Sequence, residues 1–201
     1  MILLELFLLF FLPFALLYFG VISLRHRRKI FAGMFCLLLF FIWYQGIGLR
    51  ELGIRTDNLG ATALPYLIFL VGGVLVFFLF IRLLRRPTAI SWKKNAWYLV
   101  FFAPLCFAQQ IAYQGFLIHE LQQVSASFWL IVFADATLFA FAHVIYPESD
   151  LGLPIVFVTG VAFSSMYLVF PNLILISIVH ATLNFIVVGL YGFFSLEDGS
   201  F

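Results

Sequence analysis

The sequence predicts an all-α polytopic membrane protein of about seven transmembrane helices, and three observations predict it. Of 201 residues, 65% are hydrophobic and only 10% charged, with a mean hydropathy of +1.14, which leaves too few polar side chains to cover a wettable surface. The apolar residues come in runs of about 20, the length that crosses roughly 30 Å of hydrocarbon at 1.5 Å per residue. Most Lys and Arg fall in two short segments between such runs. No stretch is left over for a soluble domain.

Taken in order, the spans are expected at 2–22, 30–48, 61–84, 96–118, 125–145, 152–170 and 172–194. The first begins MILLELFLLF, with Glu5 inside the apolar run and no basic segment ahead of it, so it reads as a retained helix rather than a cleaved signal peptide. Arg25, Arg27, Arg28 and Lys29 follow it, and Arg82, Arg85, Arg86, Lys93 and Lys94 separate the third span from the fourth. The positive-inside rule places both clusters in the cytoplasm, hence the N-terminus outside and the C-terminus inside. Clusters that flank spans serve as topology signals or contacts to anionic lipid, so no nucleic-acid partner is expected. Arg50 and Arg55, offset by Glu51 and Asp57, belong to an outer loop. The organisation is three N-terminal spans over 1–95, a four-span core over 96–194 and a short tail, 195–201.

After Lys94 no Lys or Arg occurs, yet Glu120, Asp135, Glu148, Asp150, Glu197 and Asp198 do. Any of these acids buried in the bundle has no cation from its own half of the chain and must be neutral or hydrogen-bonded by neutral donors. Asp135, ten residues into the fifth span, is the exposed case. Cys36 and Cys106 both lie within spans, where they serve as small apolar residues; no metal site or cofactor is expected from them.

The informative residues are polar ones inside the later helices. Gln110 and Gln114 are spaced i, i+4, as are Phe139 and His143 in FAFAHVIYP, and His180 and Asn184 in SIVHATLNF. Each pair shares a helical face. That face turns inward, because imidazole and carboxamide groups are unfavourable against lipid. Gln109 lies about 100° round the wheel from Gln110.

The ordered set QQIAYQG, then Phe139 with His143, then His180 with Asn184, each on its own helix, resembles the CPBP (Abi) family. That family includes CAAX prenyl endopeptidases and bacteriocin self-immunity proteins, and the resemblance over residues 96–194 implies a CAAX-endopeptidase-like bundle. The family's first motif is E-E-x-x-x-R, usually followed by Gly. Here the spacing and Gly115 are kept, while Gln109, Gln110 and Gln114 replace the three charged residues. The resemblance implies that Gln109 and His143 stand where a carboxylate and imidazole activate water. His180 and Asn184 stand where an oxyanion is stabilised, and Gln110 and Gln114 where a charge pair supports the site.

A carboxamide has no lone pair with a useful pKa near neutrality, so Gln109 can position a water but cannot take its proton. General-base assistance is worth about 10² to 10⁴ in rate. The three replacements are also mutually consistent, since losing only the acids or only the Arg would leave an unpaired buried charge, costing several kcal/mol. The amides can still join helices, at about 0.6 to 2 kcal/mol per bond.

The expected function is therefore that of a pseudoprotease: a membrane scaffold or binding module for a hydrophobic peptide, a lipidated tail or a partner's transmembrane helix. Membrane lipid is a further partner, and a prokaryotic inner membrane the expected location. The alternative is an active intramembrane endopeptidase, of CAAX-processing or bacteriocin-immunity type, with an altered catalytic set. Asp135 as a substitute base lies about 12 Å along the axis from His143, and a neutral structural acid is the competing reading. His143 and His180 also stand open to reading as satisfied interior histidines. HELQQ at 119–123 lacks the second His of a zinc peptidase, and GVAFSS lacks the turn that would make Ser164 or Ser165 a rhomboid-type nucleophile. One difficulty is depth: straight spans put Gln109 deep and His143 near the inner end. A motif helix that starts at Pro104, after an interfacial segment over 96–103, would resolve it.

Overall fold

A computed structural model describes residues 2–83, 103–145 and 152–186. All regular structure among them is helical. Seven helices follow one another: α1 Ile2–Tyr18, α2 Leu24–Gln45, α3 Leu59–Leu83, α4 over 103–124, α5 Phe128–Ala142, α6 Gly152–Val169 and α7 Leu173–Asn184. Of these, α2, α3 and α6 are long and apolar enough to cross a membrane, while α1, α5 and α7 are shorter apolar helices.

Local chemistry sets the ends. Helix α1 stops at Tyr18, four residues before the expected end, because Gly20 takes a φ of +71° and its N–H bonds back to Leu17 O at 3.2 Å. Helix α2 starts at Leu24, so Arg25 to Lys29 occupy its first turns rather than a loop. Arg and Lys are good helix formers, and their long stems let the charges leave the apolar layer. At the other end Gly46, at φ +70°, sends its N–H to Trp43 O and Ile47 N–H to Ile42 O, the two bonds of a Schellman stop. Ser127 caps α5 by accepting from Leu130 N–H, and Asn172 caps α7 by accepting from Leu175 N–H at 3.0 Å.

Helix α4 runs to Val124, past the expected end at 118, so His119 and Glu120 are helical. Its middle, Ile111–Leu117, is a π segment. A π turn rotates the residues that follow it, and such turns are frequent at functional sites. Six of those seven residues are buried, including Gln114, Gly115 and Phe116. A Cβ on Gly115 would sit 3.0 Å from Leu173 Cδ1 and 3.4 Å from Leu52 O, so glycine lets α7 and the α2–α3 connection close on α4. Likewise Gly160 of α6 brings its backbone against Ala136 of α5, where a Cβ would meet Ala136 Cα at 3.0 Å. Small residues permit this approach in membrane bundles, where dispersion replaces the hydrophobic drive.

Helices α2 and α3 form the rim. Only 6% of each span is buried, against 33% for α6, and Phe40, Leu67, Ile68 and Leu75 face outward from them. Trp43 and Tyr44 stand exposed at the end of α2, as interfacial aromatics do. The α2–α3 connection is tied down by polar contacts: Arg50 and Arg55 both bond Asp57, each at 2.9 Å. Glu51, expected to offset these arginines, instead accepts from Gly48 N–H at 2.7 Å. Asn172 Nδ2 donates to Arg55 O and to Asn58 Oδ1.

Candidate functional site

The site grows from α7. His180 is buried at 4% exposure, and Asn184, one turn on, places its Nδ2 3.0 Å from His180 Nε2. From α4, Gln110, 1% exposed, brings its carboxamide within 2.7 Å of His180 Nδ1. Both ring nitrogens therefore meet carboxamides. A neutral imidazole has one N–H and one lone pair, so one amide presents oxygen and the other N–H, a choice each makes by a half-turn of its terminal bond. Asn184 Nδ2 also lies 3.5 Å from the Sγ of Cys106, which is fully buried on α4.

Helix α5 supplies the aromatic wall. The Phe139 ring packs 5.1 Å from Tyr113, 4.9 Å from His143 and 6.2 Å from His180, and Phe163 of α6 closes on His180 at 5.1 Å. His143 ends α5, and its Nδ1 lies 2.8 Å from Phe139 O. A carbonyl only accepts, so Nδ1 carries the proton and Nε2 is the nitrogen with the lone pair in the neutral ring.

About one turn along α4, a second polar group forms. Gln114 Nε2 donates to Asp135 Oδ2 at 3.2 Å, and Ser164 Oγ lies 2.5 Å from the same oxygen and 2.7 Å from Gly160 O. Asp135 and Ser164 have no exposed surface. Ser164 has one hydrogen and two oxygens around it. The carbonyl of Gly160 can only accept, so Ser164 donates there, and the contact to Asp135 is satisfied when the carboxyl holds a proton and donates to Ser164. Asp135 is thus a hydrogen-bonded acid tying α4, α5 and α6 together.

A third buried set lies about 9 Å further along α4. Gln45 Nε2 donates to Glu5 at 2.7 Å, and on α4 Glu120 is buried with neither carboxyl oxygen hydrogen-bonded among the described residues. Neutral Gln45 thus serves Glu5 without bringing a charge.

Of the residues singled out from the sequence, the structure gathers Gln110, His180 and Asn184 into one hydrogen-bonded chain and lays Phe139 and His143 beside it. Gln114 and Asp135 pair with each other instead. Gln109 is half-buried, and its side chain makes no hydrogen bond among the described residues. Ser164, Gly160 and Cys106 escaped sequence reasoning as site residues; the Gly160–Ser164 spacing of i, i+4 was the available signal. The expected interfacial segment 96–103 falls almost wholly outside the described residues, although Pro104 is the second residue of the described part of α4. Among the described residues no three His, Cys, Asp or Glu side chains gather where they could hold a metal.

Residues 90–186 match the family model of Type II CAAX prenyl endopeptidase Rce1-like proteins, a segment that contains all three motifs. The chain carries an Rce1-like domain of the CPBP family. No curated protein and no solved structure matches it. The Rce1-like domain takes in the described part of α4, the whole of α5 and α6, and α7, so the helices that meet at His180 and at Asp135 are those of the family segment. With three helices of spanning length, the chain is an integral membrane protein.

Proposed function

We propose that the protein is a non-catalytic member of the CAAX prenyl endopeptidase family. It holds a hydrophobic peptide, a lipidated tail or a partner's transmembrane helix where a protease would hold its substrate. The observation that carries this reading is the Gln110–His180 contact at 2.7 Å, with Asn184 on the other ring nitrogen. A carboxylate at position 110 would accept from the imidazole and polarise it; a carboxamide completes the hydrogen bonds without supplying charge or a base. Among the described residues the buried acid nearest in sequence to the motif histidines, Asp135, is engaged with Gln114 and Ser164.

In the same reading the basic ends of α1–α2 and α3 face a prokaryotic cytoplasm, with the N-terminus outside. The test offers purified protein in liposomes prenylated CAAX peptides and transmembrane peptides, read by mass spectrometry. The expected result is no cleavage above that of a His143→Ala, His180→Ala double variant, together with a stoichiometric membrane partner on affinity purification. Turnover at an ordinary enzymatic rate that His143→Ala abolishes would establish an intramembrane endopeptidase and overturn the proposal.

A further inference from the structure

Away from the site, a groove of about 270 Å³ opens between α1 and α2. One wall is Leu8, Leu12 and Leu16, a stripe at i, i+4, i+8; the other carries Lys29, Gly33 and Leu37 at the same spacing. Each stripe extends about 12 Å along its helix. The two helices form a hairpin through the turn at Gly20, so Leu16 and Lys29 mark the turn end and Leu8 and Leu37 the far end. At Gly33 the groove is open, since a Cβ there would meet nothing within 4 Å.

Charge distinguishes the two ends. Apart from Lys29 the lining is aliphatic, glycine or proline. At the turn end Lys29 is joined on the first turns of α2 by Arg25 and Arg28, all exposed, and none of these three forms an ion pair among the described residues. A slot that is apolar along its length and cationic at one mouth suits a molecule with an apolar chain and an anionic head. An extended peptide laid there would leave backbone N–H and C=O groups unsatisfied against hydrocarbon, and a helix, about 10 Å across, is too wide for a slot of this volume. An acyl chain has no such groups, and a lipid phosphate gains from each nearby Lys or Arg.

We infer that the α1–α2 groove is a binding site for one anionic glycerophospholipid, its acyl chain between the leucine stripe and Gly33 and its phosphate at Lys29. This site shares no residue with the histidine–glutamine site, so it stands or falls independently of the proposed function.

The test uses the full chain in nanodiscs or mild detergent, with lipid retention read by native mass spectrometry against phosphatidylglycerol and phosphatidylcholine. One phosphatidylglycerol should be retained preferentially. Lys29→Gln should weaken that retention about fivefold, the loss of one favourable basic contact, and Lys29→Arg should keep it. Gly33→Leu, which fills the groove and leaves the charge, should remove the preference; an unchanged size-exclusion profile and melting temperature would show that the variant folds. Inorganic phosphate should not compete. Equal retention of both lipids by the native chain, or retention untouched by both Lys29→Gln and Gly33→Leu, overturns the inference. So does displacement of phosphatidylglycerol by a prenylated peptide, which would assign the groove to a lipidated tail.

Discussion

Asp135 shows how a single side chain can be read from both directions. From the sequence, an acid in a half-chain without Lys or Arg has to be neutral or served by neutral donors, and the structure surrounds it with Gln114 and Ser164. If the carboxyl carries a proton, Asp135→Asn keeps a donor and an acceptor and should cost less than about 1 kcal/mol. Asp135→Leu strands Gln114 and should cost about 1–3 kcal/mol, measured by thermal or SDS unfolding. A loss of several kcal/mol for the asparagine variant would mean a buried charge instead. Outside the membrane, Asp57 behaves differently. Its hydrogen bond from Arg55, helped by the charges of Arg50 and Arg55, holds its carboxyl below the usual carboxylate range against a smaller opposing effect of desolvation. A depressed acid contributes stability above its unfolded pKa and loses it as pH falls through the folded value. Amide exchange in the 49–58 connection, taken relative to its intrinsic rate at each pH, should therefore stay flat from pH 8 to 5 and quicken only on acidification below about 4. Asp57→Asn should quicken it at all pH values.

At the scale of elements, the α2–α3 connection and the turn before α7 act as one fastening. Gly53, at φ +75°, ends a tight turn, and a Cβ there would reach the hydroxyl of Tyr167 at 2.3 Å. Gly53→Ala should cost at least about 1–2 kcal/mol from backbone conformation alone. Adding Tyr167→Phe should recover only part of the total, because it removes the clashing oxygen but leaves ring Cε2 and Cζ at 2.9 and 3.0 Å from that Cβ, as well as the φ penalty; chemical unfolding of the two variants measures the oxygen's share. Asn172 shows how much one cap can carry, since it starts α7 and also binds Arg55 O and Asn58. Helix existence was legible from apolar runs, whereas the ends set by Gly20, Gly46 and Ser127 fall three or four residues inside the expected bounds. The π segment at Ile111–Leu117 was not, because nothing local in IAYQGFL opposes an ordinary α turn.

For the whole molecule, the proposed function turns on the three glutamines. Restoring the family pattern with Gln109→Glu, Gln110→Glu and Gln114→Arg should bring peptide cleavage up from nothing measurable, and at most part of the way. The general-base contribution of about 10² to 10⁴ is what a carboxylate can return, while Asp135 and Ser164 remain arranged for a neutral amide at position 114. Cleavage by the triple variant that Asn184→Ala leaves untouched would place the chemistry elsewhere. Reporter tags at the two termini, read for accessibility in sealed vesicles, should show the N-terminus outside and the C-terminus inside; the reverse would mean that the basic clusters do not set orientation here.

By itself the sequence determined that this chain is a helical membrane protein, roughly where its helices run, and which faces of the later ones turn inward. Those properties follow from composition and from spacings within one helix. Only the tertiary structure decided which polar groups meet. Gln110 finds His180 across 70 positions, and Ser164 finds Asp135 across 29, pairings set by how the π segment rotates α4 and how closely Gly115 and Gly160 let helices approach. The groove beside Gly33 belongs to the same category. A missing side chain is visible in any sequence, but whether it becomes a cavity depends on what the neighbouring helix brings against it.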